Sequence, residues 1–218
     1  MQGCPQLAKT TAMLAMDTLL RGLDPQMKAL GFRKDVRNYR RITIDGLTHV
    51  INFQMSTYGT ADEGEFTVNL GIFVPEVFAH FYQDSPAKKV HHYVCSINKR
   101  LGQLAGDMSD RWWSTVNQDT NQTQVSEMLD GFGCPFLDKF SSRDQILDEI
   151  QRSEYESNLV ANSRMTAVII LAYRGEVAAA TSILKAGIEA AESAGKRREA
   201  FALREEARQL GFLSLLLP

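Results

Sequence analysis

The sequence predicts an α+β fold: an N-terminal helix packed on an antiparallel meander sheet, followed by an all-helical C-terminal segment. Three observations predict it. Leu7, Leu14, Leu19, Leu23, Met27 and Leu30 recur at helical spacing and form one apolar stripe. Residues 39–74 hold three strand-like runs, divided by the hairpin dipeptide Asp45-Gly46 and by the polar stretch 57–64. From Asn158 onward the chain turns alanine-rich and helical in pattern.

The first helix spans 7–30 and stops at Gly31. Asp24-Pro25 interrupts it: either Asp24 caps a fresh helix with Pro25 in its first turn, or the helix kinks there. Strands are expected at 39–44, 47–56 and 65–74, with a fourth at 93–104. A short helix opens at Pro75. Residues 107–113, which carry Trp112 and Trp113, read as a loop folding back onto the core. Residues 120–132 and 142–156 read as helices, with "GFGCPF" a break between them. Helices at 158–173, 176–193 and 197–210 follow. The stretch "LAYRGEVAAATSILKAGIEAA" resembles one unit of a tetratricopeptide-like helical hairpin. The domain expectation is therefore 1–156 for the α+β part and 157–218 for the helical part.

Composition bounds the class. The 218 residues are 44% apolar and 23% charged, the balance of a globular protein. The longest fully apolar stretch, 167–173, is seven residues, against ~20 needed to cross a bilayer. No basic n-region followed by an apolar h-region opens the chain, so a cytoplasmic location is expected. The three cysteines, Cys4, Cys95 and Cys134, are scattered and show no CxxC spacing, which suits a reducing compartment. The net charge of −2 hides blocks of opposite sign. Residues 1–41 carry eight basic and three acidic side chains, and 107–156 carry four basic and eleven acidic ones. Such blocks steer a charged partner or form solvated faces.

Catalytic signatures do not emerge. No GxGxxG, GxxxxGK or GxSxG pattern occurs. His91 and His92 are adjacent, so on a regular element they diverge, and neither has the ligand spacing of a metal site. His49 falls among Leu47, Ile51, Phe53 and Met55 on one strand face and reads as a hydrogen-bonded core histidine. The expectation is a protein without enzyme activity, cofactor or metal.

The sheet is more informative. Alternation puts Asn52 and Gln54 of the second strand, and Thr67, Asn69 and Gly71 of the third, on one polar face. Amides there suit directed hydrogen bonding in a groove; a solvated sheet face is the other account. Arg33, Lys34, Arg37, Arg40 and Arg41, interleaved with Phe32 and Tyr39, form a basic stretch that could grip a nucleic-acid backbone. They also suit an edge strand kept from aggregating.

The segments "LGFRKDVRNYRRITIDGLTHVINFQMSTYG" and "FTVNLGIFVPEVF", then "RLGQL" and "RWW", resemble a bacterial family named only as domain of unknown function 4304. The resemblance covers roughly residues 7–140 and implies a helix on an antiparallel sheet with no established activity. By analogy with small proteins of this kind, the expected function is that of an immunity protein. It would bind and neutralise a secreted bacterial toxin, a nuclease for example, by occlusion. Acidic residues Asp107, Asp110, Asp144, Asp148 and Glu149 would face the toxin's basic cleft, with Trp112 and Trp113 as anchors or as core residues. The alternatives are a small-ligand or peptide-binding module using Asn52, Gln54, Thr67 and Asn69, and a nucleic-acid binder using the basic hairpin.

Overall fold

Helix α1 (Thr11–Ala29) begins where the Thr10 hydroxyl accepts the Met13 N–H at 3.2 Å, satisfying one of the orphan donors of the first turn. It runs unbroken through Asp24-Pro25. Asp24 does not cap a fresh helix: Pro25 lies inside α1, and the Asp24 carboxylate is engaged by other side chains. It accepts the Tyr39 hydroxyl at 2.5 Å and the Lys34 ammonium at 2.9 Å. The computed structural model describes residues 9–83, 89–105 and 110–215. By contact the chain falls into two compact units, residues 1–73 with 90–141 and residues 74–89 with 142–218.

The first unit is built on an antiparallel sheet of β1 (Arg33–Asp35), β2 (Asn38–Ile42), β3 (Thr48–Met55), β4 (Glu65–Phe73) and β5 (Ile97–Arg100), in that order. A further short strand, β6 (Trp113–Ser114), pairs with the start of β4. The apolar face carries Ile51, Phe53, Phe66, Val68, Leu70 and Ile72, all buried. Tyr39 lies opposite Ile51 on that face, and its hydroxyl, donated to Asp24 and 3.1 Å from the Leu20 carbonyl, ties helix to sheet. An aromatic row of Tyr39, Phe53, Phe66 and Trp113 crosses four strands at centroid spacings of 5.9, 6.3 and 5.6 Å. Trp113 thus joins the core, stacked on Phe66.

Several local expectations change. β1 was not anticipated, because its turn to β2, Val36-Arg37, carries no turn-forming residue. Val36 nevertheless sits at φ 56°, which a β-branched side chain tolerates poorly. The long strand expected at 93–104 is three elements: a 3-10 turn at His92–Val94, then β5, then α3 (Leu101–Leu104). The Arg100 N–H donates to the Gln103 amide oxygen at 3.2 Å, which starts the helix early. "GFGCPF" is not a break. Helix α4 (Gln118–Met128) passes through a π-helical turn, Leu129–Gly133, into α5 (Cys134–Asp138). Gly133 permits this: a Cβ there would lie 3.0 Å from Leu129 and 3.1 Å from Leu101.

The second unit is helical: α2 (Pro75–Tyr82), α6 (Arg143–Arg152), α7 (Ser163–Tyr173), α8 (Val177–Ser193) and α9 (Arg197–Gln209). It therefore takes in α2 and α6, both upstream of residue 157. Every residue from Met165 to Leu171 in α7 is buried, so most of the longest apolar run lies in a helical core, and only its last residue, Tyr173, is largely exposed. Gly175 and Gly195, at φ 78° and 71°, close α7 and α8 in the left-handed conformation. The Glu76 carboxylate of α2 receives Arg143 of α6 at 2.6 and 2.8 Å. The same guanidinium lies 5.5 Å from the Tyr173 ring. Among the described residues no helix is long and apolar enough to cross a membrane.

Candidate functional site

The polar sheet face expected from alternation forms, and register makes it continuous. Asn38 of β2 lies opposite Asn52 of β3, and Asn52 lies opposite Asn69 of β4. Three asparagines therefore cross three strands in one row, with Gln54 opposite Thr67 one step along. The Asn69 amide donates to Asn52 Oδ1 at 3.1 Å and to Gln54 Oε1 at 3.0 Å. Asn52 in turn donates to Asn38 Oδ1 at 2.9 Å. Asn69 is 3% exposed and Thr67 is fully buried, its hydroxyl donating to the Arg111 carbonyl at 3.0 Å.

Buried polar groups need partners, and this row supplies them in one direction. Asn69 spends its N–H groups on inward-turned oxygens. The NH₂ groups of Gln54 and Asn38, whose oxygens are so engaged, have no protein partner among the described residues.

Asn38, Asn52 and Gln54 floor an open cleft of about 500 Å³, within the range of ligand sites, ~300–1,000 Å³. Its walls come from three places: Lys9, Met13 and Asp17 around the start of α1; Val36 and Arg37 in the β1–β2 turn; and His91, His92 and Tyr93. Gly71 lets the last segment close down over the sheet, for a Cβ there would stand 2.6 Å from Cys95 Sγ. Val36 is 76% exposed and Tyr93 68%, so the rim offers apolar surface beside the charged Lys9, Asp17 and Arg37, while the floor is amide. The His91 ring stacks on Tyr93 at 5.3 Å. Burial, with His91 and Arg100 nearby, holds His92 below the usual histidine pKa, which keeps it neutral at pH 7. Lys9 and Asp17 pair at 2.6 Å. Arg37 makes no ion pair among the described residues.

The other nominated residues lie elsewhere. Asp110 is held by Arg100, which keeps its carboxyl below the usual range. Trp112 lies under the same guanidinium, 5.2 Å from ring to charge. Both belong to the first unit, whereas Asp144, Asp148 and Glu149 belong to α6 of the second. Asp144 pairs with Arg174 at 2.6 Å and Glu149 with Arg152 at 3.6 Å, and Asp148 is exposed. Asp107 falls outside the described residues. Of the basic stretch, Lys34 is bound by Asp24 and Arg40 by Asp35 at 3.0 Å. Arg41 is bound by Asp138, by the Leu30 carbonyl and by His49. Arg33 and Arg37 remain.

His49 is fully buried. Its Nε2–H donates to the Phe140 carbonyl at 3.0 Å, and Nδ1 accepts from Arg41 at 3.0 Å. Burial, reinforced by the Arg41 charge, holds its pKa below the usual value. The core-histidine expectation describes it. Burial raises the Cys95 thiol well above its usual range, and burial with Asp130 and Asp138 pushes Cys134 up to about 11. Among the described residues no group of three or more His, Cys, Asp or Glu could hold a metal ion.

Of the four polar-face residues that alternation marks, Asn52 and Gln54 line the cleft and Thr67 and Asn69 lie buried beneath it, and alternation marks none of the walls. Val36 comes to the cleft through the β1–β2 turn, Asn38 through its pairing with Asn52, and His91 and Tyr93 through the segment that leads into β5. Within the sequence, the sole signal for those walls was the small Gly71 on an otherwise amide face.

No curated protein and no solved structure matches the chain. The family model named domain of unknown function (DUF4304) matches residues 23–139, over half the chain and most of the sheet that floors the cleft. This protein belongs to that family of unknown function.

Proposed function

We propose that the protein is a non-catalytic binding protein whose recognition site is the amide-floored cleft of the first unit. The observation that supports this reading is the one-way Asn69–Asn52–Asn38 row. It spends buried hydrogen bonds on orienting donors that the protein itself does not use. Preorganised donors lower the cost of binding, since the groups need no reordering when a ligand arrives. Exposed Met13, Val36 and Tyr93 around such a floor suit a peptide segment of a protein partner. An immunity role would be the case in which that segment belongs to a toxin, and occlusion would follow from holding it.

The reading is tested by placing a photo-crosslinking amino acid at Tyr93, on the rim, and separately at Ile44, an exposed residue of the β2–β3 turn. Both proteins are irradiated in cells of the native host. The expected result is one dominant adduct from Tyr93, not from Ile44, that is lost when Gln54→Arg fills the floor. Equal labelling at both positions, or labelling indifferent to Gln54→Arg, would refute it.

A further inference from the structure

We infer that the cleft recognises a carboxylate, carried by an aspartate or glutamate side chain of an extended peptide segment. The inference rests on the binding reading above and names the chemistry of the ligand. Its first support is the hydrogen-bond inventory. Asn52 Oδ1, Asn38 Oδ1 and Gln54 Oε1 are each already accepting. What the floor leaves unused is the Gln54 and Asn38 NH₂ groups, which are donors. A ligand that accepts hydrogen bonds would pair these unused donors.

The second support is charge. Lys9 and Asp17 cancel each other across the cleft wall. Arg37, half-buried beside Asn38 and Asn52, is left as an unbalanced cation among the described residues. A guanidinium meets a carboxylate through two parallel hydrogen bonds, a match that a neutral acceptor does not make.

The third support is the turn that presents Arg37. Val36 precedes it at φ 56° with its side chain 76% exposed. A strained, solvent-facing valine is unfavourable in isolation; against a bound segment it becomes a contact beside the charge. Met13 and Tyr93, 40% and 68% exposed on the other walls, extend that contact past a single side chain. A free small acid would leave all three uncovered, which favours a peptide segment as the carrier.

The test uses the full chain, labelled with ¹⁵N, and two pools of acetylated, amidated pentapeptides. The pools differ only at the centre, Glu in one and Gln in the other, with flanking positions varied over Val, Leu and Thr. The Glu pool is expected to shift the side-chain signals of Arg37, Gln54 and Asn38 and to bind at least ten-fold more tightly than the Gln pool. Arg37→Gln should abolish that preference, and Arg37→Lys should keep part of it. Equal binding of both pools in the cleft would overturn the carboxylate inference while leaving the cleft a binding site. So would a preference that survives Arg37→Gln. A cleft unmoved by either pool would overturn both readings.

Discussion

Asn69 stands directly opposite Asn52 in the β3–β4 ladder and donates to its side-chain oxygen at 3.1 Å. Because Asn69 is nearly inaccessible and Asn52 is not, the bond lets a buried neighbour on the same face fix the orientation of an amide that lines the cleft. The second donation, to Gln54, does the same one residue pair along.

Replacing that donor tests its role. Asn69→Ala should lower unfolding stability by about 1–3 kcal/mol, the cost of stranding partly buried acceptors. Asn69→Asp should cost more at neutral pH, since it sets a carboxylate against two oxygens. Urea unfolding of the two variants checks the order; equal effects would mean that only packing matters at this position.

Gly71 makes room for the segment that walls the cleft. Gly71→Ala would bring a Cβ to 2.6 Å from Cys95 Sγ and 3.0 Å from Cys95 Cβ. The expected loss is about 1–3 kcal/mol, typical of overpacking. Cys95→Ala removes the nearer atom, so the double variant should recover part of that loss. A double-mutant cycle reads the coupling directly.

His49 carries a pH dependence with a definite sign. Its folded-state pKa lies below the ordinary 6.5 because of burial. Below that pH the unfolded chain binds the proton that the folded state resists. Stability is therefore full above about pH 6.5 and declines as pH falls from there toward the folded-state pKa. Arg41 opposes protonation on the Nδ1 side, and Asp138, which binds Arg41, weakly favours it. Unfolding curves between pH 5 and 7.5 should show a shallower slope for His49→Gln than for the parent chain, whatever its absolute stability.

Glu76 and Arg143 test whether α2 folds with the second unit. Their side chains are 6% and 10% exposed, and removing one partner of a buried pair costs about 3–5 kcal/mol. Glu76→Ala should lose an amount of that order, and Glu76→Met with Arg143→Met should lose less. Hydrogen exchange should place the destabilisation in α2, α6 and α7.

The fold class, the three central strands, α2 and the C-terminal helices were legible in the sequence because each rests on local periodicity or a turn residue. Alternation in 47–56 and 65–74 puts Asn52, Gln54, Thr67 and Asn69 on one face whatever the rest of the chain does. His49 was legible for the same reason. Tertiary structure decided everything that depends on register or on distant segments. It set Asn38 beside Asn52 through the register of the β2–β3 ladder, placed Val36 in a β1–β2 turn that contradicts turn preference, and kept α1 continuous through Asp24-Pro25. Neither Asp24-Pro25 nor "GFGCPF" ends its helix, since packing against neighbouring elements outweighs a local break. The cleft itself is non-local: its floor comes from adjacent strands, and its walls from segments up to 84 positions apart, Lys9 to Tyr93. Periodicity specifies which side of a strand a residue faces, but only the folded chain specifies what stands across from it.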